Sequence, residues 1–285
     1  MGQNALVFAP MLLGGKIGDA QAWLACGAAF LAMGLIASAT YLVNDLTDLE
    51  DDRRHWSKRE RPLACGAISL RAAMTVAPLA LLAGLCAAFA AGGPKALAVA
   101  GVYCAGTLAY SLGLKRAPIL DVAMLAGLFT VRLLLGSVVA DTALSKWLLV
   151  FSMFLFASLG FAKRGVEIAR AALKGETGPA GRGYRGADAP LVTALGAAMS
   201  VASLVVLVMY LIDDAMPRGL YAAPDLLWGA PVFVSLWLGR VWLLCGRGEL
   251  HDDPVAFAVK DRQSLMLGAM TAICFAGALV GVPWR

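Results

Sequence analysis

The chain has 285 residues, of which 60% are hydrophobic and 15% charged, and its mean hydropathy is +0.75. A soluble domain is about half apolar and about a quarter charged, so this composition excludes soluble, disordered and collagen-like proteins. The net charge of +5 is too small to predict binding to nucleic acid. Six cysteines without a Cys-x-x-Cys spacing exclude a disulfide scaffold, and two histidines argue against a histidine-built zinc site.

Apolar stretches of membrane-crossing length recur along the whole chain. A helix needs about 20 mostly apolar residues to cross the hydrocarbon layer of a bilayer. We therefore predict one all-α membrane domain over residues 1–285, with nine spans: 4–19, 22–43, 71–91, 95–113, 118–140, 146–164, 189–211, 224–245 and 264–283. The first span is short and begins almost at Met1, so a longer form of the chain could carry residues before it.

The charges between the spans predict an orientation. Of the 24 Lys and Arg residues, 18 lie in or beside the segments 53–71, 115–116, 163–185 and 240–262, and most of the acidic residues lie there too. Basic residues accumulate in the cytoplasmic connections of membrane proteins. We therefore expect a multi-pass protein of a bacterial-type inner membrane, with its N-terminus and charged loops in the cytoplasm. Acids mixed among the bases are expected where a polyphosphate and its metal are bound together.

A polar segment closes the second predicted span. At 100° per residue, Asn44, Asp48 and Asp52 lie along one helical stripe, with Asp45 beside it. Like charges on one face repel unless a cation lies among them, and magnesium prefers a few carboxylates together with phosphate oxygens. Basic residues suited to the same phosphates follow at once: Arg53, Arg54, Lys58, Arg59 and Arg61. The spacing favours a metal and polyphosphate site over a solvated helix end.

The pattern Asn44-Asp45-x-x-Asp48-x-x-x-Asp52 resembles the first aspartate-rich motif of the UbiA superfamily, nine-helix intramembrane enzymes that bind a diphosphate through magnesium. The longer pattern resembles one branch, the decaprenyl-phosphate 5-phosphoribosyltransferases, at His55, Lys58, Arg59, Arg61, Pro62 and Gly66. The similarity extends over nearly the whole chain, through segments 4–10, 110–136, 162–167 and 253–262.

The resemblance implies a UbiA-type bundle with its active site at the cytoplasmic mouth, and it implies roles at the matching positions. Mg2+ would be held by Asn44, Asp48 and Asp52, and the catalytic residues would be Asp45, Asp48, Asp52 and Asp121. Substrate-binding residues would be Lys58, Arg59, Arg61, Tyr110, Lys115, Arg132, Lys163, Arg164, Glu167, Asp261 and Arg262. The substrates implied are phosphoribosyl pyrophosphate and a polyprenyl phosphate lipid in the membrane.

The residues after the sixth span favour this branch. Aromatic prenyltransferases of the superfamily typically carry a second aspartate-rich motif there, whereas this chain has Lys163, Arg164 and Glu167. Two cations with one acid form a poor second metal site but a good phosphate clamp. Phosphoribosyl pyrophosphate needs such extra positive charge because it has a 5-phosphate besides its diphosphate. Anchoring of the helix end at the membrane surface is the alternative role for these cations.

Several other polar positions could either bind substrate or have a structural role. Tyr110 and Lys115 could contact phosphate or anchor the fourth span at the interface, while Asp121 is assigned to the metal or to the ribose hydroxyls. Arg132 is 11 residues further along, roughly 16 Å deeper at 1.5 Å per residue, so it faces the bundle interior or water. It could bind the lipid phosphate or make a structural pair. Asp261 and Arg262 could bind substrate or form a salt-bridged loop.

The segment Gly181-Arg-Gly-Tyr-Arg-Gly186 matches the dinucleotide-binding pattern G-x-G-x-x-G. That pattern requires a preceding strand and a following helix. Because the segment lies between two predicted membrane spans, we interpret it as a flexible basic loop that orders over substrate.

The expected reaction is Mg2+-dependent transfer of 5-phosphoribosyl to a polyprenyl phosphate, with release of pyrophosphate. One alternative is a prenyltransferase that moves an isoprenoid from its diphosphate to an aromatic or lipid acceptor, against which the missing second aspartate motif argues. A transporter is the second alternative. It would place ionisable residues along the middle of several spans, whereas Arg132 is the one clear mid-span charge in the sequence.

Overall fold

A computed structural model describes residues 2–54, 58–250 and 253–281, without the side chains of Asp51, Arg54 and Lys58. His55 of the predicted motif and the Lys58 side chain, a predicted phosphate contact, thus lie outside the described part. The α-helices are α1 (Ala9–Leu13), α2 (Ala20–Thr47), α3 (Leu49–Arg54), α4 (Leu70–Leu112), α5 (Leu120–Val139), α6 (Lys146–Leu173), α7 (Ala189–Tyr210), α8 (Gly229–Gly246), α9 (Pro254–Ala258) and α10 (Arg262–Val280). Every regular element in the described residues is a helix or a short 3-10 or π turn.

Within these residues, seven helical segments are long and apolar enough to cross a membrane, so the chain is a multi-pass membrane protein. The segments are Ala20–Thr47, Leu70–Leu112, Leu120–Val139, Lys146–Leu173, Gly186–Ala215, Pro224–Gly246 and Arg262–Val280. They agree closely with the spans predicted from the sequence, except that the sixth predicted span, 146–164, continues as helix to Leu173 and that two further places differ. The predicted count of nine stays a prediction.

The two further differences are a shorter first helix and a continuous segment that joins the third and fourth spans across a break. The first predicted span, 4–19, is too long, because the apolar helix covers Gly2–Leu13 only and begins as a 3-10 helix. The predicted spans 71–91 and 95–113 form one 43-residue helix, α4, interrupted at Gly92 and Gly93. Gly93 has φ +64°, a conformation that glycine adopts without strain, and Pro94 removes the next amide donor. The break therefore separates the two spans where the sequence predicts a connection.

The chain divides into two compact units. The first contains Met1–Leu12, Lys16–Lys115 and Val131–Leu144; the second contains Leu13–Gly15, Arg116–Thr130 and Ser145–Arg285. In the first unit α2 packs along α4, and a Cβ at Gly84 would lie 2.7 Å from Cγ1 of Ile36. In the second unit α6 packs along α7, and the Trp242 ring covers Gly196. Small residues at such contacts let membrane helices approach closely.

Candidate functional site

The polar segment of the first unit lies where α2 ends and α3 begins. Asp48 stands between the two helices, with φ −98° and ψ 7°. Its amide donates to the Asn44 carbonyl at 3.0 Å, and the Asp52 amide donates to the Asp48 carbonyl at 2.8 Å. Because four-residue hydrogen bonding continues across the break, the helical register is preserved. We call Asn44, Asp45, Asp48 and Asp52 the acidic junction.

Lys115 joins two members of the acidic junction. It follows the end of α4 on a 3-10 turn, Leu114–Arg116, and its side chain is largely buried. Its Nζ donates to Oδ1 of Asn44 at 3.1 Å and to Oδ2 of Asp48 at 2.6 Å. Asn44 and Asp48 thus point at one cationic nitrogen, as expected for side chains four residues apart on a helix.

Arg61 joins the other two members. Its Nη1 donates to Oδ1 of Asp45 at 2.9 Å and to Oδ2 of Asp52 at 2.7 Å. Asp52 is 2% exposed, whereas 36% of the Arg61 side chain is exposed. Among the described contacts, Asp52 shares a cation with Asp45, whereas the predicted stripe groups it with Asn44 and Asp48.

The donor chemistry of the acidic junction fits a magnesium ion. Four side chains supply oxygen atoms, and each pair of oxygens already converges on one positively charged nitrogen. Hard divalent cations prefer such carboxylate and carbonyl oxygens. Among the residues that the structure describes, no three His, Cys, Asp or Glu side chains form a ready metal-binding group. The assignment of Asn44, Asp48 and Asp52 as metal ligands therefore stays a prediction.

The remaining predicted substrate-binding residues of the first unit differ in how deeply they are buried. Arg59 is exposed on the 3-10 turn Lys58–Glu60, and Tyr110 is half-buried in the last turn of α4. Arg132 is 5% exposed; its Nε donates to Oδ1 of Asn4 at 3.0 Å and its Nη2 to the Tyr103 hydroxyl at 2.8 Å. Of the two interpretations for Arg132, these contacts favour the structural one, since they tie the first helix to α4 and α5.

In the second unit, Asp121 and Arg164 form a buried ion pair. Both side chains are 0% exposed, and Nε of Arg164 lies 2.7 Å from Oδ2 of Asp121. Arg164 also donates to Glu167, one turn along α6. The Tyr184 hydroxyl donates to Oδ1 of Asp121 at 2.8 Å and accepts from the Ile119 amide at 2.7 Å. Arg164 therefore has two carboxylate partners within its own unit.

Lys163 and its neighbour Arg164 pair with different acids. Nζ of Lys163 lies 2.5 Å from Oδ2 of Asp253, and 34% of the Lys163 side chain is exposed. Asp253 also caps α9 by accepting from the Val255 amide. Although desolvation raises the pKa of Asp253, the Lys163 charge and the hydrogen bonds to the carboxylate outweigh it and hold that pKa below its usual value. The predicted clamp of Lys163 and Arg164 thus consists of two separate ion pairs.

Asp261 and Arg262 begin α10. Asp261 accepts from the Ser264 amide at 2.7 Å and binds Arg240 through two nitrogens, at 2.6 and 3.1 Å. Burial raises the pKa of Asp261, but the Ser264 and Arg240 hydrogen bonds lower it further and leave it below its usual value. Arg262 is exposed. The contacts of Asp261 favour the salt-bridged loop that the sequence left as one of two interpretations.

Sequence reasoning missed Tyr184. The sequence predicts a flexible basic loop at residues 181–186, but Tyr184 is 4% exposed, and its hydroxyl both donates and accepts a hydrogen bond. Gly183 packs so closely on the Arg116 carbonyl that a side chain there would clash. Desolvation raises the pKa of Tyr184, since burial disfavours the phenolate. A single aromatic residue among glycines and arginines was the available signal.

Comparison with known proteins shows the family. Residues 6–267 match the model of the UbiA prenyltransferase family. The chain belongs to this family. The UbiA resemblance predicted from the acidic motif is therefore confirmed, and so is the wider membership in a family of transferases.

Three relatives of this UbiA-family chain differ in how much they share with it. The uncharacterized protein y4nM of Sinorhizobium fredii is 44% identical over 277 residues, which cover 97% of this chain and 54% of that protein, so the chain spans about half the length of this relative. Nodulation protein NoeC of Azorhizobium caulinodans is 31% identical over 285 residues, which cover 98% of this chain and 88% of that protein. Decaprenyl-phosphate phosphoribosyltransferase of Corynebacterium glutamicum is 39% identical over 171 residues, which cover 58% of this chain and 51% of that protein.

Solved structures show the same fold. A UbiA homolog from Archaeoglobus fulgidus bound to DMAPP and Mg2+ has a TM-score of 0.69 at 14% identity, covering 98% of this chain and 96% of that one. A UbiA homolog from Aeropyrum pernix K1 has a TM-score of 0.65 at 19% identity, and the match covers 98% of this chain and 96% of that one. At these identities the likeness concerns the fold alone.

Proposed function

We propose that this UbiA-family protein transfers the 5-phosphoribosyl group of phosphoribosyl pyrophosphate to a polyprenyl phosphate. The observation that carries the proposal is the acidic junction, where four oxygen donors and two cations meet within one unit. Oxygens suit a divalent cation, and Lys115 and Arg61 suit phosphate. Support for the phosphoribosyl donor comes from Lys163, Arg164 and Glu167 in place of a second aspartate-rich motif, and from the name of the partial relatives.

The side chains have separate roles in this proposal. Asn44, Asp48 and Asp52 would hold Mg2+, with Asp45 beside them. When bound, this ion supplies positive charge that stabilises the departing pyrophosphate. Lys115 and Arg61 bind the oxygens of the same pyrophosphate, and each can donate to more than one of them.

The reaction exchanges one bond at the ribose. The bond between C1 and the pyrophosphate oxygen breaks, and its electron pair leaves with pyrophosphate. An oxygen of the polyprenyl phosphate forms the new bond to C1 from the opposite face, so the configuration inverts while positive charge builds on C1. A phosphate monoester is already an anion near neutral pH. The nucleophile therefore needs no strong general base.

We place the polar donor and its site on the cytoplasmic side of a bacterial-type inner membrane, with the lipid tail of the acceptor in the bilayer. The basis is the concentration of Lys and Arg in four connections of the chain. Fusion of a reporter to the loop at residues 174–186 tests this orientation, and activity of a cytoplasmic reporter is expected there.

The test of the reaction compares two substrate pairs. Purified protein with Mg2+ receives a polyprenyl phosphate and labelled phosphoribosyl pyrophosphate, or a labelled prenyl diphosphate and an aromatic acceptor. We expect labelled lipid product from the first pair only. Product from the second pair only would replace the proposal with prenyl transfer, which the structures bound to DMAPP and GPP make the second candidate.

Lys163 is proposed as a phosphate-binding residue of the second unit, because a third of its side chain is exposed whereas Arg164 is fully buried. Lys163→Ala should raise the KM for phosphoribosyl pyrophosphate more than the KM for the lipid. An unchanged KM for the donor would contradict this role of Lys163.

A further inference from the structure

We infer that Lys115 and Arg61 are built-in counter-ions of the acidic junction, which compete with a divalent cation for its oxygens and move to the diphosphate when that cation binds. The inference rests on the proposed function and deepens it. It makes the two side chains responsible for coupling metal binding to diphosphate binding, beyond a simple contact to phosphate.

The first support is that each cationic nitrogen shares the oxygens that a metal would use. Nζ of Lys115 lies 2.6 Å from Asp48 and 3.1 Å from Asn44, and Nη1 of Arg61 lies 2.7 Å from Asp52 and 2.9 Å from Asp45. Mg2+ binds oxygens at about 2.0–2.1 Å. A metal ion on these oxygens would lie within a few ångströms of an ammonium or guanidinium group. The like charges repel strongly at that distance, so the cation and the side chain exclude each other.

The second support is that both cations extend from connections and not from the helices that carry the acids, although only 10% of the Lys115 side chain is exposed. Lys115 extends from a 3-10 turn beyond the end of α4, on a flexible four-carbon stem. Arg61 lies in the connection between α3 and α4, and 36% of its side chain is exposed. The acids, in contrast, lie on or between helices α2 and α3, so they keep their positions while the cations are exchanged.

A consequence for binding follows from these charges. A metal ion alone must displace a cation from these oxygens and brings no anion in exchange, so it binds weakly. A diphosphate supplies the negative charge that receives the released Lys115 and Arg61. Each ligand therefore strengthens binding of the other, and the factor is the same in both directions.

The experiment measures Mn2+ binding directly by electron paramagnetic resonance on the purified full chain, with and without inorganic pyrophosphate. For the wild type we expect weak Mn2+ binding that pyrophosphate strengthens. Lys115→Met should tighten Mn2+ binding without pyrophosphate roughly five- to tenfold, since a competing charge is removed, and should reduce the strengthening by pyrophosphate. Arg61→Met should act in the same direction. Lys95→Met, which removes one exposed positive charge elsewhere, is the matched control.

Each outcome decides between the two proposals. If Lys115→Met and Arg61→Met bind Mn2+ no more tightly than Lys95→Met, the counter-ion inference is wrong while the metal site stands. If wild type and variants bind no Mn2+ even with pyrophosphate, the proposed function loses its metal site. Should Lys115→Met fail to fold, Arg61→Gln decides, because glutamine can still donate a hydrogen bond to the buried Asp52 while it removes the positive charge.

Discussion

The acidic junction and the Asp121–Arg164 pair are both built from carboxylates and cations, but they differ in exposure. In the first, 10% of Lys115, 21% of Asp48, 23% of Asp45 and 36% of the Arg61 side chain are exposed, and only Asp52 is nearly buried, at 2%. In the second, both partners are 0% exposed. Partly exposed pairs contribute little net stability, whereas removing one partner of a buried pair leaves an uncompensated charge. The comparison teaches that the first cluster is suited to exchange its partners and the second to hold a structure.

The largest expected effect is on stability and comes from breaking the buried ion pair of Asp121 and Arg164. Arg164→Met should lower the free energy of unfolding by about 3–5 kcal/mol, because Asp121 is left charged and buried. Thermal unfolding in detergent measures the loss. Lys163→Met, at the neighbouring position on α6, is the control and should cost less than about 1 kcal/mol. Equal losses would contradict the difference drawn between the two ion pairs.

The next effect concerns activity at the acidic junction. Asp48→Asn should reduce phosphoribosyl transfer about 100- to 1000-fold, because the amide keeps the shape of the side chain but loses the charge that binds a cation. Unfolding temperature and insertion into the membrane should stay close to the wild type. Asp19→Asn, the same change at the other end of α2, should leave transfer unchanged, since asparagine also caps a helix. Near-normal turnover by purified Asp48→Asn would refute the metal role.

A smaller effect tests what holds the buried pair in place. Tyr184→Phe removes the hydroxyl between Asp121 and the Ile119 amide and should cost about 1–2 kcal/mol of stability. Circular dichroism during thermal unfolding in detergent follows the change. Tyr41→Phe is the control, because Tyr41 is 64% exposed. A variant as stable as the control would mean that the loop at 181–186 does not support Asp121.

The smallest effect depends on pH. The folded-state pKa of Asp253 lies below its unfolded value of about 3.9, so its pair with Lys163 stabilises the fold above that value. This contribution is lost as the pH falls through the folded-state pKa. The wild type should therefore be more stable than Asp253→Asn near pH 6, and the difference should shrink below about pH 4. A pH-independent difference in unfolding temperature would contradict the assignment.

Much of the fold was predictable because membrane helices are a local property. Length and apolarity identified the spans that become α2, α5, α6, α7 and α10 to within a few residues at most ends. The break in α4 was also predictable, since Gly92, Gly93 and Pro94 disfavour a continuous helix. The end of the first helix was not, because the helix ends at Leu13, before a turn at Gly14 and Gly15, whereas the predicted span continues to residue 19.

The candidate site was predictable only in its composition. A spacing of four placed Asn44 and Asp48 together, and the structure brings both to Lys115. That partner is 67 residues from Asp48 in the chain, so no local pattern could select it. The sharing of Arg61 by Asp45 and Asp52 likewise depends on how the connection after α3 folds back.

The sequence by itself determined a membrane-embedded helical chain with an acidic helix end of the UbiA kind, because hydropathy and residue spacing act over a few turns. The tertiary structure alone decided which cation meets which acid and which of two adjacent basic residues is buried. Lys163 and Arg164 are neighbours in the chain, but successive side chains on a helix point 100° apart, so one meets Asp253 with part of its surface exposed and the other meets Asp121 in the interior.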